Sequence, residues 1–152
     1  MPETEAATSE RQRWMAVLAR AGSAAIAAAL AKAPALPDYK RLRGPETGLV
    51  MLRGRAGGSG AAFNLGEMTV TRCTVKTACG RIGHAYVQGR DARQAELAAV
   101  LDAALQDPDR APTLRQRVVE PLEAAQRAAR ARIARQAAAT RVEFFTMTTM
   151  RT

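Results

Sequence analysis

Residues 46–91, ETGLVMLRGRAGGSGAAFNLGEMTVTRCTVKTACGRIGHAYVQGRD, decide the fold of this chain. Apolar and β-branched runs alternate here with glycine clusters, which is typical of strands joined by turns. The segments on either side have the apolar spacing of helices instead. The chain is therefore predicted to be a single α+β domain over residues 1–152, with a twisted antiparallel sheet of about four or five strands and helices at both ends.

Two hairpins are predicted within the sheet. In the first, residues 39–43 and 49–55 form strands that are joined by a Gly-Pro turn at residues 44–45. In the second, the chain reverses around residues 79–81. Between the hairpins, the apolar pattern of residues 68–75 changes face near its middle, which indicates a bulge or a strong twist in that strand.

The first hairpin contains two arginines that are candidates for anion binding or for a subunit interface. Arg53 and Arg55 are predicted to share a strand face with Leu49 and Met51. Arginines that enter a sheet from its apolar side need anionic partners. An exposed edge strand whose charges discourage aggregation is at least as well supported by the pattern. The glycines at residues 57–60 can point N–H groups at an anion, but no phosphate-loop or dinucleotide fingerprint follows them.

The last turn of the stretch gives a second group of candidates. Asp91, with Gln94 three residues later, forms a capping-box pattern at the start of a core-facing helix. The N–H groups of that helix start, together with Gln88, Arg90 and Asp91, are candidates for contact with an anion or a partner. Alternatively, Asp91 itself satisfies these donors and pairs with Arg90.

Few residues are suited to acid–base, nucleophilic or metal chemistry. The single histidine, His84, is predicted on one strand face with Tyr86 and Gln88, where a structural role is more common than a catalytic one. Cys73 and Cys79 lack the CxxC spacing of a metal site, so we expect reduced thiols. We predict no metal site and no cofactor bound by this chain, and we assign no catalytic residue.

The N-terminal part is predicted to be helical. Residues 1–7 are expected to be frayed, and helices follow from residue 8 or 9 to about Ala21 and from Ser23 onward. The first residues lack the pattern of a secretory signal, and the apolar run at residues 24–31 is far shorter than the roughly 20 residues of a membrane span. We therefore expect a cytoplasmic protein with no membrane partner.

The C-terminal part is predicted to be a helical run that ends in an apolar segment. Pro121 is expected to break or kink the run, whose last part, to about Ala139, consists largely of alanine and arginine. That part is either solvated or packed closely against a partner. Phe144, Phe145 and Met147 then form a strand or a tail inserted into another subunit, so they are candidate partner contacts.

The net charge of the chain indicates which kind of ligand or partner it binds. The formal net charge is +9, and most of the basic residues are arginines. Arginine's planar fork suits phosphate and carboxylate groups, so an anionic ligand or an acidic protein surface is predicted, although codon bias explains such a composition equally well. Aromatic residues make up only 4% of the chain, and it has no recognition helix or RNA-binding motif.

Four stretches resemble the PhnG family of the bacterial carbon–phosphorus lyase system for phosphonate use. They are RQRWMAVL at residues 11–18, ETGLV at 46–50 followed by Arg55 and the glycine turn, YVQGRD at 86–91 and RVEFFTM at 141–147. They occur in the family's order and span nearly the whole chain.

The resemblance implies a core complex with PhnH, PhnI and PhnJ, and association with PhnL and PhnK. In that system PhnG, PhnH and PhnI, with PhnL, are assigned the step in which a phosphonate displaces adenine from ATP to give α-D-ribose 1-methylphosphonate 5-triphosphate. PhnJ later cleaves the carbon–phosphorus bond. The chain is thereby expected to be a non-autonomous enzyme subunit that is inactive alone and shares ATP and phosphonate as ligands with its partners.

Other classes of function remain as alternatives at this point. The arginine excess is also compatible with a nucleic-acid-binding protein or with a non-catalytic scaffold protein. A stand-alone phosphate-transfer enzyme is disfavoured because the sequence lacks a phosphate-loop lysine and metal-ligand spacing.

Overall fold

The structure, a computed structural model, describes residues 2–56 and 60–142, with only the backbone of residues 2–7. It confirms an α+β fold in which one antiparallel sheet, in the order β1-β2-β3, has helices before and after it in the chain. The elements are α1 (Pro2–Ala21), α2 (Ser23–Leu30), β1 (Tyr39–Gly54), β2 (Phe63–Thr77), β3 (Ile82–Gln88), α3 (Ala92–Leu105), α4 (Ala111–Leu114), a π-helical turn (Arg115–Val119) and α5 (Glu120–Ala139).

β1 is one continuous strand where two strands and a turn were predicted. Its pairing with β2 shifts register between Arg41 and Arg43 and again between Arg43 and Glu46. The Gly-Pro pair at residues 44–45 lies within the second shift, where a proline is tolerated because its missing N–H breaks no regular ladder. The predicted turn is therefore wrong, and the sheet has three strands in the described chain instead of about four or five.

The irregularity predicted within β2 lies on the neighbouring strand. β2 pairs with β3 without a shift from Val70 opposite Gln88 to Lys76 opposite Ile82. The extra residues are in β1, across from Arg72 and Thr74. The sequence thus predicted that the apolar side chains change face and roughly where along the strand they do so. It placed the bulge in β2, whereas the bulge lies in β1.

The second predicted hairpin and the faces of β3 are confirmed. β2 ends at Thr77 and β3 begins at Ile82, and Gly80 in the turn has a φ of 87°. Along β3 the residues at 83, 85 and 87 are buried, and those at 82, 84, 86 and 88 are exposed. The sheet therefore has an inner face against the core and an outer face that bears His84, Tyr86 and Gln88.

The core lies between this inner face and the helices. α3 is central, because residues 98–105 are buried against the sheet on one side and α1 and α2 on the other. The predicted apolar face of this helix is confirmed by the burial of Val100, Leu101 and Leu105. Trp14, Val17 and Leu18 form the buried stripe of α1, which begins at Pro2, earlier than residue 8 or 9.

The C-terminal helical run changes its geometry just before Pro121. A π-helical turn at Arg115–Val119 separates α4 from α5, so the proline falls in the first turn of α5, where its missing N–H is tolerated. The run is therefore not broken at the proline, but it changes helix type next to it, and α5 ends at Ala139 as predicted. From Arg127 onward every described side chain of α5 is exposed.

The outer half of the β1–β2 hairpin, which we call the β-arm (residues 48–54 and 63–68), is largely uncovered on both faces within the described chain. Leu49, Met51, Leu52, Phe63 and Leu65 are all 40% exposed or more. A two-stranded ribbon without a core is at best marginally stable alone, so the β-arm depends on its continuity with the sheet.

Candidate functional site at the end of the sheet

Asp91 joins the starts of two helices. Its Oδ1 accepts a hydrogen bond from the backbone N–H of Gln94 at 2.9 Å, which caps α3. Hydrogen bonding from Ser23, in the first turn of α2, is the largest of the interactions that lower the pKa of this carboxyl, and the Gln94 N–H comes next. The Asp91 carboxylate therefore caps α3 and lies beside the start of α2, where a negative charge is favourable.

Gln94 does not reach back toward Asp91 as in a complete capping box. Its side-chain amide donates to the carbonyl oxygens of Leu18 and Ala19, both at 3.0 Å. These carbonyls lie in the last turn of α1, where helical geometry leaves carbonyls without partners. Gln94 therefore ties the end of α1 to the start of α3, and the side chain is buried as a result.

Replacing Asp91 by alanine is expected to lower the free energy of unfolding by about 1–2 kcal/mol, since the cap of α3 and the link to Ser23 are lost together. Because folding lowers the pKa of Asp91, its charge stabilises the fold above the unfolded pKa of about 4, and this contribution is lost as the pH falls through the lower folded pKa. In urea unfolding, the gap between wild type and Asp91→Asn should therefore shrink below about pH 4. A gap that stayed constant down to about pH 2.5 would contradict this assignment.

Gln88 and Arg90 remain available for a ligand or a partner. Both are exposed, and in the described residues neither side chain forms a hydrogen bond or ion pair, so the predicted pairing of Arg90 with Asp91 does not occur there. Gln88 lines a cleft of about 680 Å³ between the outer face of the sheet and the end of α1, which contributes Arg20 and Gly22. The polar groups offered here are largely donors, which suits them to hold an anion.

Arg53 and Arg55 are separated from this end of the sheet. Gln88 pairs with Val70, which pairs with Gly48, whereas Arg53 lies five positions further along β1. At roughly 3.3 Å per residue, this places Arg53 about 16 Å away along the strand. Arg53 donates a long hydrogen bond of 3.5 Å to the carbonyl of Ala62, and Arg55 is exposed just beyond the strand. The candidates therefore form two groups, one at the cleft and one on the β-arm.

A buried carboxylate that the sequence patterns did not reveal holds the core together. Asp102 has no exposed surface, and its oxygens accept hydrogen bonds from Arg11 at 2.7 and 3.1 Å and from the Trp14 indole at 3.0 Å. The backbone N–H of His84 donates to the same carboxylate at 2.9 Å. Asp102 thereby joins α1, α3 and β3, and its hydrogen bond is the main cause that raises the pKa of Arg11. The sequence feature that could have revealed this role is the presence of an aspartate within the apolar run of α3.

His84 and the cysteines show no catalytic arrangement. The His84 ring lies on the outer face with its Nδ1 3.1 Å from the Thr74 hydroxyl. Cys73 is buried and Cys79 is exposed, and both thiols are free. The Thr77 hydroxyl, 3.1 Å from the Cys79 sulfur, is the main cause that lowers the pKa of that thiol, whereas burial raises the pKa of Cys73.

Metal-binding clusters and membrane spans are both absent from the described part of the chain. No group of three or more His, Cys, Asp or Glu side chains there is arranged to hold a metal ion. None of the helices in that part is both long and apolar enough to cross a membrane. The predicted partner contacts Phe144, Phe145 and Met147 lie outside the described residues.

Two comparisons with known proteins agree with each other. The family described as "Phosphonate metabolism protein PhnG" matches residues 9–150. The chain is also 42% identical, over 146 residues, to the alpha-D-ribose 1-methylphosphonate 5-triphosphate synthase subunit PhnG of Rhizobium meliloti (strain 1021). That alignment covers 94% of this chain and 91% of the relative.

Proposed function

The chain belongs to the PhnG family, and from that premise we propose that it is a non-autonomous subunit of a ribose 1-methylphosphonate 5-triphosphate synthase within a carbon–phosphorus lyase system. It supports the step in which a phosphonate displaces adenine from ATP. Its proposed partners are PhnH, PhnI and PhnJ, with PhnL and PhnK associated, in the cytoplasm. The observation that carries this proposal is the 42% identity, over 94% of this chain, to a relative that is named as a subunit of that synthase.

The distribution of polar groups supports a role in positioning ligands for a partner's active site rather than an active site formed by this chain alone. Two carboxylates with well-defined geometry, Asp91 and Asp102, are used to hold helices and strands in place. Of the polar groups without a partner in the described chain, Gln88 lines the cleft and Arg90 is exposed two residues further along the chain, and both side chains offer donors. Donors of this kind can position a phosphate or stabilise its charge, but they neither form a covalent bond nor remove a proton.

The proposal is tested by making the chain alone and together with its proposed partners. Co-expression with PhnH, PhnI and PhnJ should yield a complex that co-purifies and has a defined native mass. Adenine release from ATP and methylphosphonate should be absent for the isolated chain and should appear when the partner subunits, including PhnL, are present. Failure to co-purify would overturn the proposal, and salt-sensitive binding to arbitrary DNA without any complex would favour the nucleic-acid alternative.

Replacing Arg90 by alanine should reduce the adenine-releasing activity of the assembled complex by about 10- to 100-fold, since a hydrogen bond to a charged group contributes roughly 1.5–3 kcal/mol. Assembly, measured by native mass, should be unchanged. The matched control is Arg117→Ala, which removes another exposed arginine, one that lies in the π-helical turn. A complex that fails to form with Arg90→Ala would make Arg90 an interface or folding residue.

A further inference from the structure

We propose that the outer face of the β-arm and the adjoining cleft form one continuous docking surface for an acidic, amphipathic segment of a partner subunit. This inference rests on the proposed function, because it assigns the surface through which the subunit joins its complex. Its components are an apolar strip, a cleft that continues the strip, and arginines at both ends.

The register of the sheet puts the apolar residues of the strip on one face. Val50 pairs with Met68, and Gly54 pairs with Phe63. Residues paired across antiparallel strands project to the same side, so each of these pairs shares a face. Leu52 lies two positions from both Val50 and Gly54 and therefore shares that face as well.

Leu65 joins the same face through a bulge. The β1–β2 register shifts between Leu52 and Arg53, which leaves Leu65 as an extra residue in β2. A Cβ added to Gly54 would meet the Leu65 side chain, so Leu65 lies over that glycine. We call the resulting set the outer strip, and it consists of Val50, Leu52, Phe63, Leu65 and Met68.

Most of the outer strip is uncovered in the described chain, although Val50 and Met68 at its cleft end are half-buried. Leu52, Phe63 and Leu65 are 40%, 46% and 60% exposed. Scattered apolar side chains are normal on a protein surface, but a contiguous apolar patch with a polar rim is typical of an interaction site. An apolar sheet face is ordinarily covered by a helix or by a second sheet, so the missing layer is expected to come from another chain.

The cleft at the end of α1 extends the strip. Val50 and Met68 line this cleft together with Val70, and α1 contributes Ala19 and Ala21 to the opposite wall. An occupant can therefore lie along the arm and insert its end between the sheet and α1. The concave end gives the surface a defined position and direction, which a flat apolar patch lacks.

Charge determines the chemistry of the occupant. Arg20 lines the cleft at one end and Arg55 follows β1 at the other, and within the described residues neither forms an ion pair with a carboxylate. Glu46, near the cleft end, is already held by Arg43 at 2.8 Å and by Arg72 at 3.3 Å. An occupant with carboxylates near both ends would satisfy these arginines.

The same charges disfavour a second copy of this chain as the occupant. A symmetric dimer formed through this face would oppose the cleft end of one copy to the arm end of the other. Arg20 and Arg55 would then approach each other across the interface, with each chain carrying a formal net charge of +9. Like charges brought together in this way suppress association, so a partner of opposite charge is the better fit.

The first test separates the two faces of the β-arm. The double variant Leu52→Gln and Leu65→Gln removes apolar side chains from the outer strip. The matched control, Leu49→Gln and Met51→Gln, changes side chains that are 63% and 52% exposed on the opposite face of the same arm. Each variant is co-expressed with PhnH, PhnI and PhnJ, and circular dichroism verifies that the purified chain is folded.

The outer-strip variant should lower the amount of co-purified complex by about 10-fold or more, because two buried leucine contacts are lost. The control variant should assemble within about 2-fold of wild type, as expected for positions outside the interface. If wild type assembles and the outer-strip variant assembles equally well, this inference is wrong while the proposed function stands. If wild type itself does not assemble, the proposed function fails first.

The second test addresses the acidic character of the occupant. Replacing both Arg20 and Arg55 by glutamate should weaken assembly by about 10-fold, and Arg117→Glu should leave it near the wild-type level. Sedimentation equilibrium of the isolated chain then tests whether a second copy of the chain occupies the surface. A dimer that the outer-strip variant converts to a monomer would show that a second copy, not an acidic partner, occupies the surface.

Discussion

Replacing Asp102 by alanine is expected to lower the free energy of unfolding by about 2–5 kcal/mol, because each buried donor that loses its acceptor costs roughly 1–3 kcal/mol. The substitution leaves the Trp14 indole N–H and the backbone N–H of His84 without their acceptor inside the protein. Arg11 also loses its bidentate partner. Urea unfolding followed by circular dichroism measures the change directly.

Two further variants show which property of Asp102 matters. Asp102→Asn keeps the size and one acceptor but removes the charge, so a smaller loss of about 1–3 kcal/mol is expected. Asp109→Ala is the control, because that aspartate is exposed and should change stability by less than about 0.5 kcal/mol. A double-mutant cycle with Arg11→Ala would isolate the coupling between Arg11 and Asp102. Equal, small losses for both Asp102 variants would contradict the role assigned to it.

Replacing Gly83 by alanine is expected to cost about 3 kcal/mol, at the upper end of the range for overpacked cores. A Cβ at this position would lie 2.6 Å from the backbone nitrogen of Ala103 and closer still to the carbonyl oxygen of Ala99. Both atoms belong to the backbone of α3, which cannot move aside as a flexible side chain would. β3 would have to separate from α3, and the contacts of Ala85 and Val87 with the core would weaken.

The control for Gly83 is a glycine in the same sheet with open space around it. A Cβ added to Gly48 would have no neighbouring atom within 4 Å, and the backbone there is not left-handed. Gly48→Ala should therefore be neutral or stabilise the protein by up to about 1 kcal/mol. Thermal unfolding of both variants, checked against urea unfolding, gives the comparison. If the two alanines had the same effect, close packing of β3 on α3 would not be the reason for glycine at residue 83.

Local patterns predicted the features that depend on neighbouring residues. Alternation along β3 gave its buried and exposed faces correctly, because a strand's side chains alternate whatever it packs against. The Asp91 cap was predictable for the same reason, since the carboxylate and the Gln94 N–H lie three residues apart. Pro121 marked the change in helix geometry through its own missing N–H.

Features that depend on distant residues were not predictable in this way. The Gly-Pro pair at residues 44–45 has the composition of a turn, but the partner strand β2 continues past it and keeps the chain extended through a bulge. Asp102 was overlooked because its donors, Arg11 and Trp14, are 91 and 88 residues away in the sequence. The separation of Arg53 from Gln88 follows from the length of the β-arm, which the misplaced turn concealed.

β1 is the first strand of the sheet, so one of its edges has no neighbouring strand in the described chain. An open edge beside exposed leucines is the kind of surface that chaperones hold and that proteases attack when a subunit waits without its complex. We therefore expect the abundance of this chain in the cell to depend on the synthesis of whatever covers that edge and the outer strip. Copies made in excess of such a partner are expected to be the ones that quality control removes.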